Sequence, residues 1–266
     1  MKTRTILVAI LASLQPYAAW ASEDEAELAK KLTNPVASLI SVPIQANWDF
    51  HIGPNDATRF TLNVQPVIPL SLNDETNLII RTILPVIDAA SPAPGIPSAS
   101  GFGDIVQSFF FSPKAPTSGG WMWGAGPVFL WPTATNDLLG SGKWGAGPTA
   151  VLLKQSNGWT YGILANQLLS YASTGGSNRT KVNATFIQPF LSYTTKTYTT
   201  FGINTESTYD WEGHQWNVPL NLTVGQLFKI GGQPMQFTLG ARYYAENANG
   251  GPGWGARAAL TFLFPK

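Results

Sequence analysis

Eight charged side chains sit inside stretches whose apolar and polar residues otherwise alternate, and they are the groups best placed to do chemistry. They are Asp49, Arg59, Arg81, Asp104, Glu206, Asp210, Arg242 and Arg257, and most fall on the polar side of their alternation. Opposite charges brought together in this way have two uses. They pair with one another and fill an interior, or they form an electrostatic constriction that selects what passes through it. The constriction candidates are Arg59, Arg81, Asp104, Glu206, Asp210, Arg242 and Arg257.

Bond-making chemistry has less to draw on. Cysteine is absent, which removes thiol catalysis and thiolate metal sites. The two histidines, His51 and His214, stand beside strand ends, and neither has a serine in a recognisable lipase motif. No catalytic residue and no metal site is expected. Gly140 to Gly145, "GSGKWG", matches the dinucleotide pattern G-x-G-x-x-G, but it lies between strands with no helix after it, so no cofactor is expected. The same letters belong to a local duplication, Trp123-Gly124-Ala125-Gly126-Pro127 and Trp144-Gly145-Ala146-Gly147-Pro148, which reads as close packing of two strands. A net charge of +1 makes no case for nucleic acid.

The elements that must position these charges are strands. "LISVPIQANWDF", Leu39 to Phe50, places Ile40, Val42, Ile44, Ala46, Trp48 and Phe50 on one face, and Ser41, Gln45, Asn47 and Asp49 on the other. The pattern returns in 216–228, where Leu220, Leu222 and Val224 oppose Asn221 and Thr223, and again in 254–264. About twelve such segments follow one another, most near the ~10 residues that a tilted membrane strand requires. Charged residues make up 12% of the chain, about half the usual share, while the mean hydropathy of +0.01 is ordinary. Low charge beside 10 Trp and 26 Gly in 266 residues fits a wall with lipid on one side and water on the other. The expected fold is all-β: a closed antiparallel transmembrane β-barrel of about twelve strands with a short N-terminal helix. Apolar faces look outward and polar faces line a lumen.

Tryptophan placement supports this orientation. Trp48, Trp121, Trp123, Trp131, Trp144, Trp159, Trp211, Trp216 and Trp254 fall at or near predicted strand ends. A soluble sandwich would bury its Trp in mid-strand, whereas a membrane boundary suits an apolar ring with one N–H to satisfy. These nine are read as aromatic girdles, which makes outer-membrane lipid a partner. Turns alternate in length as well, with tight ones at 155–158, 194–197 and 230–233 and longer ones at 88–101, 133–143, 172–179 and 246–253. The long turn at 112–120 breaks the alternation. Pro43, Pro66, Pro85, Pro127, Pro148, Pro189 and Pro219 sit inside predicted strands without a ladder donor, and several are expected to mark β-bulges, Pro189 among them.

Three segments follow in order. Residues 1–21 read as a cleaved secretory signal, with basic Lys2 and Arg4, an apolar run from Ile6 to Leu14, and small Ala19 and Ala21 before the cut. Residues 22–38 form a helical arm, acidic at its start and lysine-rich near its end, which is either solvated or folded as a plug. Residues 39–266 form the barrel, and a bacterial outer membrane is the expected location.

Several blocks also resemble a known family. "NPVASLISVPIQANWDF", "LNVQPVIPLSLNDETNLIIRTILPVI", "GFGDIVQSFFFSP", "KWGAGPTAVLLKQSNGWTYGILANQ" and "LTVGQLFKIGGQPMQF" resemble the bacterial exported family named for the meta-cleavage pathway of phenol degradation. That resemblance implies an outer-membrane barrel with a part in passing aromatic or other hydrophobic compounds, and it carries no catalytic residues. The end "LTFLFPK" resembles the signal read by the barrel-assembly machinery through Leu260, Phe262 and Phe264, departing from it in Pro265 and Lys266. The expected function is a non-enzymatic channel for small, aromatic or hydrophobic solutes. A lipid-acting barrel hydrolase and a closed structural barrel are the alternatives.

Overall fold

The computed structural model describes residues 23–174 and 179–265, so the predicted signal at 1–21 lies outside the described residues. The chain opens with α1 (Glu23–Leu32) and then runs as β1 (Ile40–Ile52), β2 (Ala57–Val64), β3 (Val67–Ser71), β4 (Thr76–Ala89), β5 (Ala99–Phe102), β6 (Ile105–Pro113), β7 (Trp121–Trp131) and β8 (Lys143–Ser156). It continues as β9 (Trp159–Ser173), β10 (Asn183–Thr194), β11 (Thr199–Thr205), β12 (Ser207–Asp210), β13 (Gln215–Ile230), β14 (Gln233–Glu246) and β15 (Trp254–Phe264).

All strand pairs are antiparallel, and the sheet closes on itself. β1 pairs with β15 from Ile40–Phe264 to Phe50–Trp254, and β9 pairs with β10 from Trp159–Tyr193 to Leu169–Asn183. β2 with β3, β5 with β6, and β11 with β12 are interrupted halves of single staves, so the fifteen segments make a barrel of twelve. Closure leaves no sheet edge, which is the only way a sheet can stand in hydrocarbon.

Outward positions are apolar and uncovered. Ile163, Phe201, Ile203, Leu222 and Leu239 are all exposed, and each alternates with an inward neighbour. In β15, Gly255, Arg257, Ala259, Thr261 and Leu263 are buried inside, while Trp254 and Phe264 are exposed outside.

The prolines act differently from the sequence expectation. Two of them do accompany bulges: the pairing of β4 with β5 and β6 shifts by one residue at Gly103–Asp104, opposite Pro85, and β13 shifts against β14 between Val218 and Pro219. Pro189 does not mark a bulge. It pairs in register with Ile163 of β9, and on its other side β10 keeps one register through the gap between Phe190–Asn204 and Ile187–Ser207. The reason is geometric: successive N–H groups of a strand point to opposite neighbours, so a proline removes a donor on one side only. Pro127 and Pro148 face each other across β7 and β8, which turns both deficits away from their shared ladder. The residues before them are Gly126 and Gly147. A Cβ there would collide with the carbonyl oxygens of Phe109 and Gln167 respectively, so the duplicated W-G-A-G-P serves close backbone approach.

The hydrophobic core is not where period-two patterning places it. α1 is acidic early and carries Lys30 and Lys31 in its last turn, with Lys31 Nζ 2.6 Å from Glu27 Oε1. That ammonium holds the Glu27 carboxyl below its usual range. One face of the helix, Leu28 and Ala29, packs with Ala37 and Leu39 against Leu227 of β13 and Leu263 of β15. Residues 33–39 then cross to the opposite wall, where Val36 seats among Ile79, Phe110, Val151, Leu153 and Leu164. Those five wall residues are fully apolar and face inward, which corrects the expectation that only polar faces line the lumen. Polar contacts fix the crossing: Thr33 Oγ1 to Thr160 Oγ1 at 2.9 Å, Gln155 Nε2 to the Lys30 carbonyl at 2.8 Å, and Asn77 Nδ2 to Ser38 Oγ at 2.7 Å. The arm is a plug standing inside one end of the barrel.

Gly147→Leu should therefore cost about 3 kcal/mol through overpacking against the next strand. Ala150→Leu, on the exposed face of the same strand, should cost little. Denaturant unfolding of barrels refolded in lipid vesicles reads both.

Candidate functional site

Glu206 is the residue that falls in the break between β11 and β12, where its N–H reaches the Pro219 carbonyl at 3.3 Å. Its carboxylate points into the lumen and is shared. Arg257 of β15 grips it with both terminal nitrogens, at 3.0 Å to Oε1 and 2.8 Å to Oε2. Arg242 of β14 adds Nη2 to Oε2 at 2.9 Å and sends Nη1 to Asp49 Oδ1 of β1 at 3.2 Å. Tyr244 donates to the same Asp49 oxygen at 2.7 Å.

Neutral amides complete the collar. Asn47 Oδ1 accepts from Arg257 Nε at 2.8 Å, and Asn221 Oδ1 accepts from Arg242 Nε at 2.8 Å. Asn221 in turn donates to Asn204 Oδ1 at 2.9 Å. Arg257, Asn47 and Asn221 are buried, and among the described residues every buried side-chain polar atom has a partner. Satisfaction on this scale makes a buried ionic cluster tolerable, because a charge left unmatched there would cost several kcal/mol. Arg81 of β4 lies in the same lumen and bonds to Gln65 Oε1 at 3.1 Å.

The structure thus gathers Glu206, Arg242, Arg257 and Arg81 with Asp49. Arg59 and Asp210 lie nearer the end of the barrel away from α1, where they line a vestibule of about 320 Å³ with Asp49, Thr208 and Tyr244. Asp104 joins neither group. It sits in the bulge opposite Pro85 and accepts from Ser141 N at 2.6 Å, Ser141 Oγ at 2.7 Å and Ala134 N at 3.2 Å, so it ties down the connection between β7 and β8. The sequence pattern alone did not single out Asn47, Asn221, Asn204 or Gln65. The signal was present for the three asparagines: Asn47 and Asn204 share an inward face with Asp49 and Glu206, and Asn221 pairs with Arg242, whereas Gln65 falls in the gap between β2 and β3, opposite Pro43.

Cavities run in series along the lumen. Beyond the vestibule, and sharing Thr208 with it, is a mid-lumen space of about 300 Å³. Gln45, Gln65, Arg81, Leu164 and Gln188 line both this space and the next, of about 350 Å³, which ends against residues 31–39 of the arm. A mouth of about 640 Å³ opens on the far side of the arm, and Thr33 borders both.

The nine tryptophans divide between the two barrel ends. Trp121 and Trp159 start strands at the end that holds α1, and Trp123 lies two residues into β7. Trp131, Trp144, Trp211, Trp216, Trp254 and, further in, Trp48 lie toward the other. Most pack against an aromatic neighbour in tilted or edge-on geometry, as in Trp159–Tyr193 at 4.9 Å, Trp131–Trp144 at 5.4 Å, Tyr209–Trp216 at 5.0 Å and Phe50–Trp254 at 4.5 Å between ring centres. His51 pairs with Asp56 at 2.5 Å in the β1–β2 connection, and His214 occupies the turn between β12 and β13.

Known structures share this architecture. The chain matches an outer membrane channel from Pseudomonas putida F1 with a TM-score of 0.67 at 15% identity, covering 86% of this chain and 96% of that one. It matches the NanC porin with a TM-score of 0.52 at 9% identity, covering 85% of this chain and all of the other. The fold is that of an outer-membrane barrel. No family model and no curated protein matches the sequence, so the likeness to the phenol-degradation family has the quoted sequence blocks as its sole basis.

Glu206→Gln removes the carboxylate that two buried guanidiniums share, and should destabilise the barrel by about 3 kcal/mol. Glu212→Gln, in an exposed turn, should change stability little. Unfolding midpoints of the two variants in lipid vesicles check the difference.

Proposed function

We propose that this protein is a channel of the bacterial outer membrane that passes small solutes through its lumen without a chemical step. The observation that carries the reading is the series of cavities that share lining residues from the vestibule to the arm, with residues 33–39 crossing the bore at one end. The tryptophan rings at both ends serve as girdles at the two lipid boundaries. The charged collar narrows the route and acts as its constriction, with Arg59 and Asp210 at the vestibule ahead of it. Asp104 has no place in that constriction.

Hydrophobic and aromatic solutes suit the route because its walls differ. The collar occupies the β11 to β1 side, whereas Ile83, Val106, Leu164, Leu168 and Phe186 line the mid-lumen space from the other. The resemblance to the phenol-degradation family points to the same class. Leu260, Phe262 and Phe264 on β15 supply the terminal signal for the assembly machinery.

Flux into proteoliposomes, measured with a panel of neutral, charged and aromatic solutes, tests the reading. Deleting residues 23–38 should raise flux several-fold while the barrel still shows its cold, folded gel mobility. A barrel that passes nothing with the arm or without it would be a structural wall and not a conduit. The mature chain should also need an amphiphile to stay monodisperse, because its outward side chains are apolar; a monodisperse sample in plain buffer would overturn the membrane placement.

A further inference from the structure

Three arginines and two carboxylates meet in the middle of the lumen, and the unmatched charge is that of Arg81. Arg242 and Arg257 share Glu206, and Arg242 also holds Asp49. Arg81 bonds to a neutral amide oxygen, that of Gln65 at 3.1 Å, and among the described residues it has no carboxylate within ion-pair distance. A guanidinium offers five N–H donors in a planar fork shaped for a carboxylate. This one lines both inner cavities.

The rest of the mid-lumen space is of two kinds. Around Arg81 stand the amides Gln45, Asn63, Gln65 and Gln188. Ile83, Leu164, Leu168 and Phe186 form an apolar arc in the same space. Glu206 borders it too, but two guanidiniums already claim its oxygens, so it offers a cation little.

We propose that the mid-lumen cavity is a binding site for a small monocarboxylate with an apolar body. The carboxylate seats on Arg81, and the body lies against Phe186, Leu164 and Ile83. The site rests on the channel reading above and names what that channel retains. A cation would meet Arg81 head-on. A neutral solute would leave the guanidinium fork as it is, with only an amide for a partner. A small hydrophilic anion would leave the apolar arc facing water.

Equilibrium dialysis of the full chain in detergent, with radiolabelled benzoate as probe, tests the site. Benzoate should bind saturably, and benzamide and acetate should each bind about tenfold more weakly, since one lacks the charge and the other the body. Arg81→Gln should weaken benzoate about tenfold, and Arg81→Lys should recover part of that loss because it keeps the charge without the fork. Phe186→Ala should weaken benzoate and leave acetate unchanged, which reads the apolar half even if Arg81→Gln fails to fold. Lys154→Gln, beside Trp121 and away from the mid-lumen space, should bind as the parent does. Equal binding of benzoate and benzamide, equal binding of benzoate and acetate, or benzoate affinity unmoved in a folded Arg81→Gln variant would overturn the proposal. The channel reading fails separately: benzoate that binds without any solute crossing vesicles keeps the site and removes the conduit, while flux without benzoate binding does the reverse.

Discussion

An amide group inside hydrocarbon has no water to fall back on, and that constraint shapes this barrel more than any side chain does. Twelve staves joined edge to edge answer it, and prolines within the staves strain the answer. The three interruptions of the wall all lie opposite one. Gln65–Pro66 faces Pro43 across β1, Gly103–Asp104 faces Pro85 across β4, and Glu206 faces Pro219 across β13. A polar side chain is put to use at each interruption. Gln65 meets Arg81, Asp104 holds a connection, and Glu206 joins two arginines. The three breaks in the staves and three polar anchors of the interior therefore coincide.

The interior is divided by strand. On one side the charges neutralise one another through hydrogen bonds of 2.7–3.2 Å and spread over five staves, so loss of one member is felt by the rest. On the other side, apolar residues serve first as the footing of the arm and then, further along, as a bare wall. Burying Val36 against that footing, and Leu28 against Leu227 and Leu263 at the arm's end of the collar side, is worth about 1.5–3 kcal/mol apiece. A lumen lined in this way holds its plug mainly by the hydrophobic effect, with one ion pair from Glu25 to Lys229, and its collar by ion pairing.

Much of this was legible in the residues. Period-two alternation showed the strands and their outward face, tryptophan positions showed where the staves end, and inward placement singled out Arg81, Glu206, Arg242 and Arg257. Other features were hidden for physical reasons. Alternation cannot tell Ile79, Phe110 and Leu153 from lipid-facing residues, because a segment far away in sequence covers them. Asp104 looked like its neighbours in charge and spacing, but the bulge beside it turns it toward a loop. Pro189 looked like a register fault, yet its missing donor concerns one neighbour and leaves the other ladder whole. The amides Asn47 and Asn221 are uncharged and so drew no notice, although they hold two of the three collar arginines in place.

The arm meets the wall through a single covalent joint, Leu39 to Ile40, and touches everything else by packing, by a few hydrogen bonds and by the ion pair of Glu25 with Lys229 at 3.0 Å. No strand of the ladder passes through it. Like a stopper on a tether, it can be withdrawn without parting one rung of the hoop around it. How tightly this vessel is sealed and how firmly it is built are thus separate properties, open to separate adjustment.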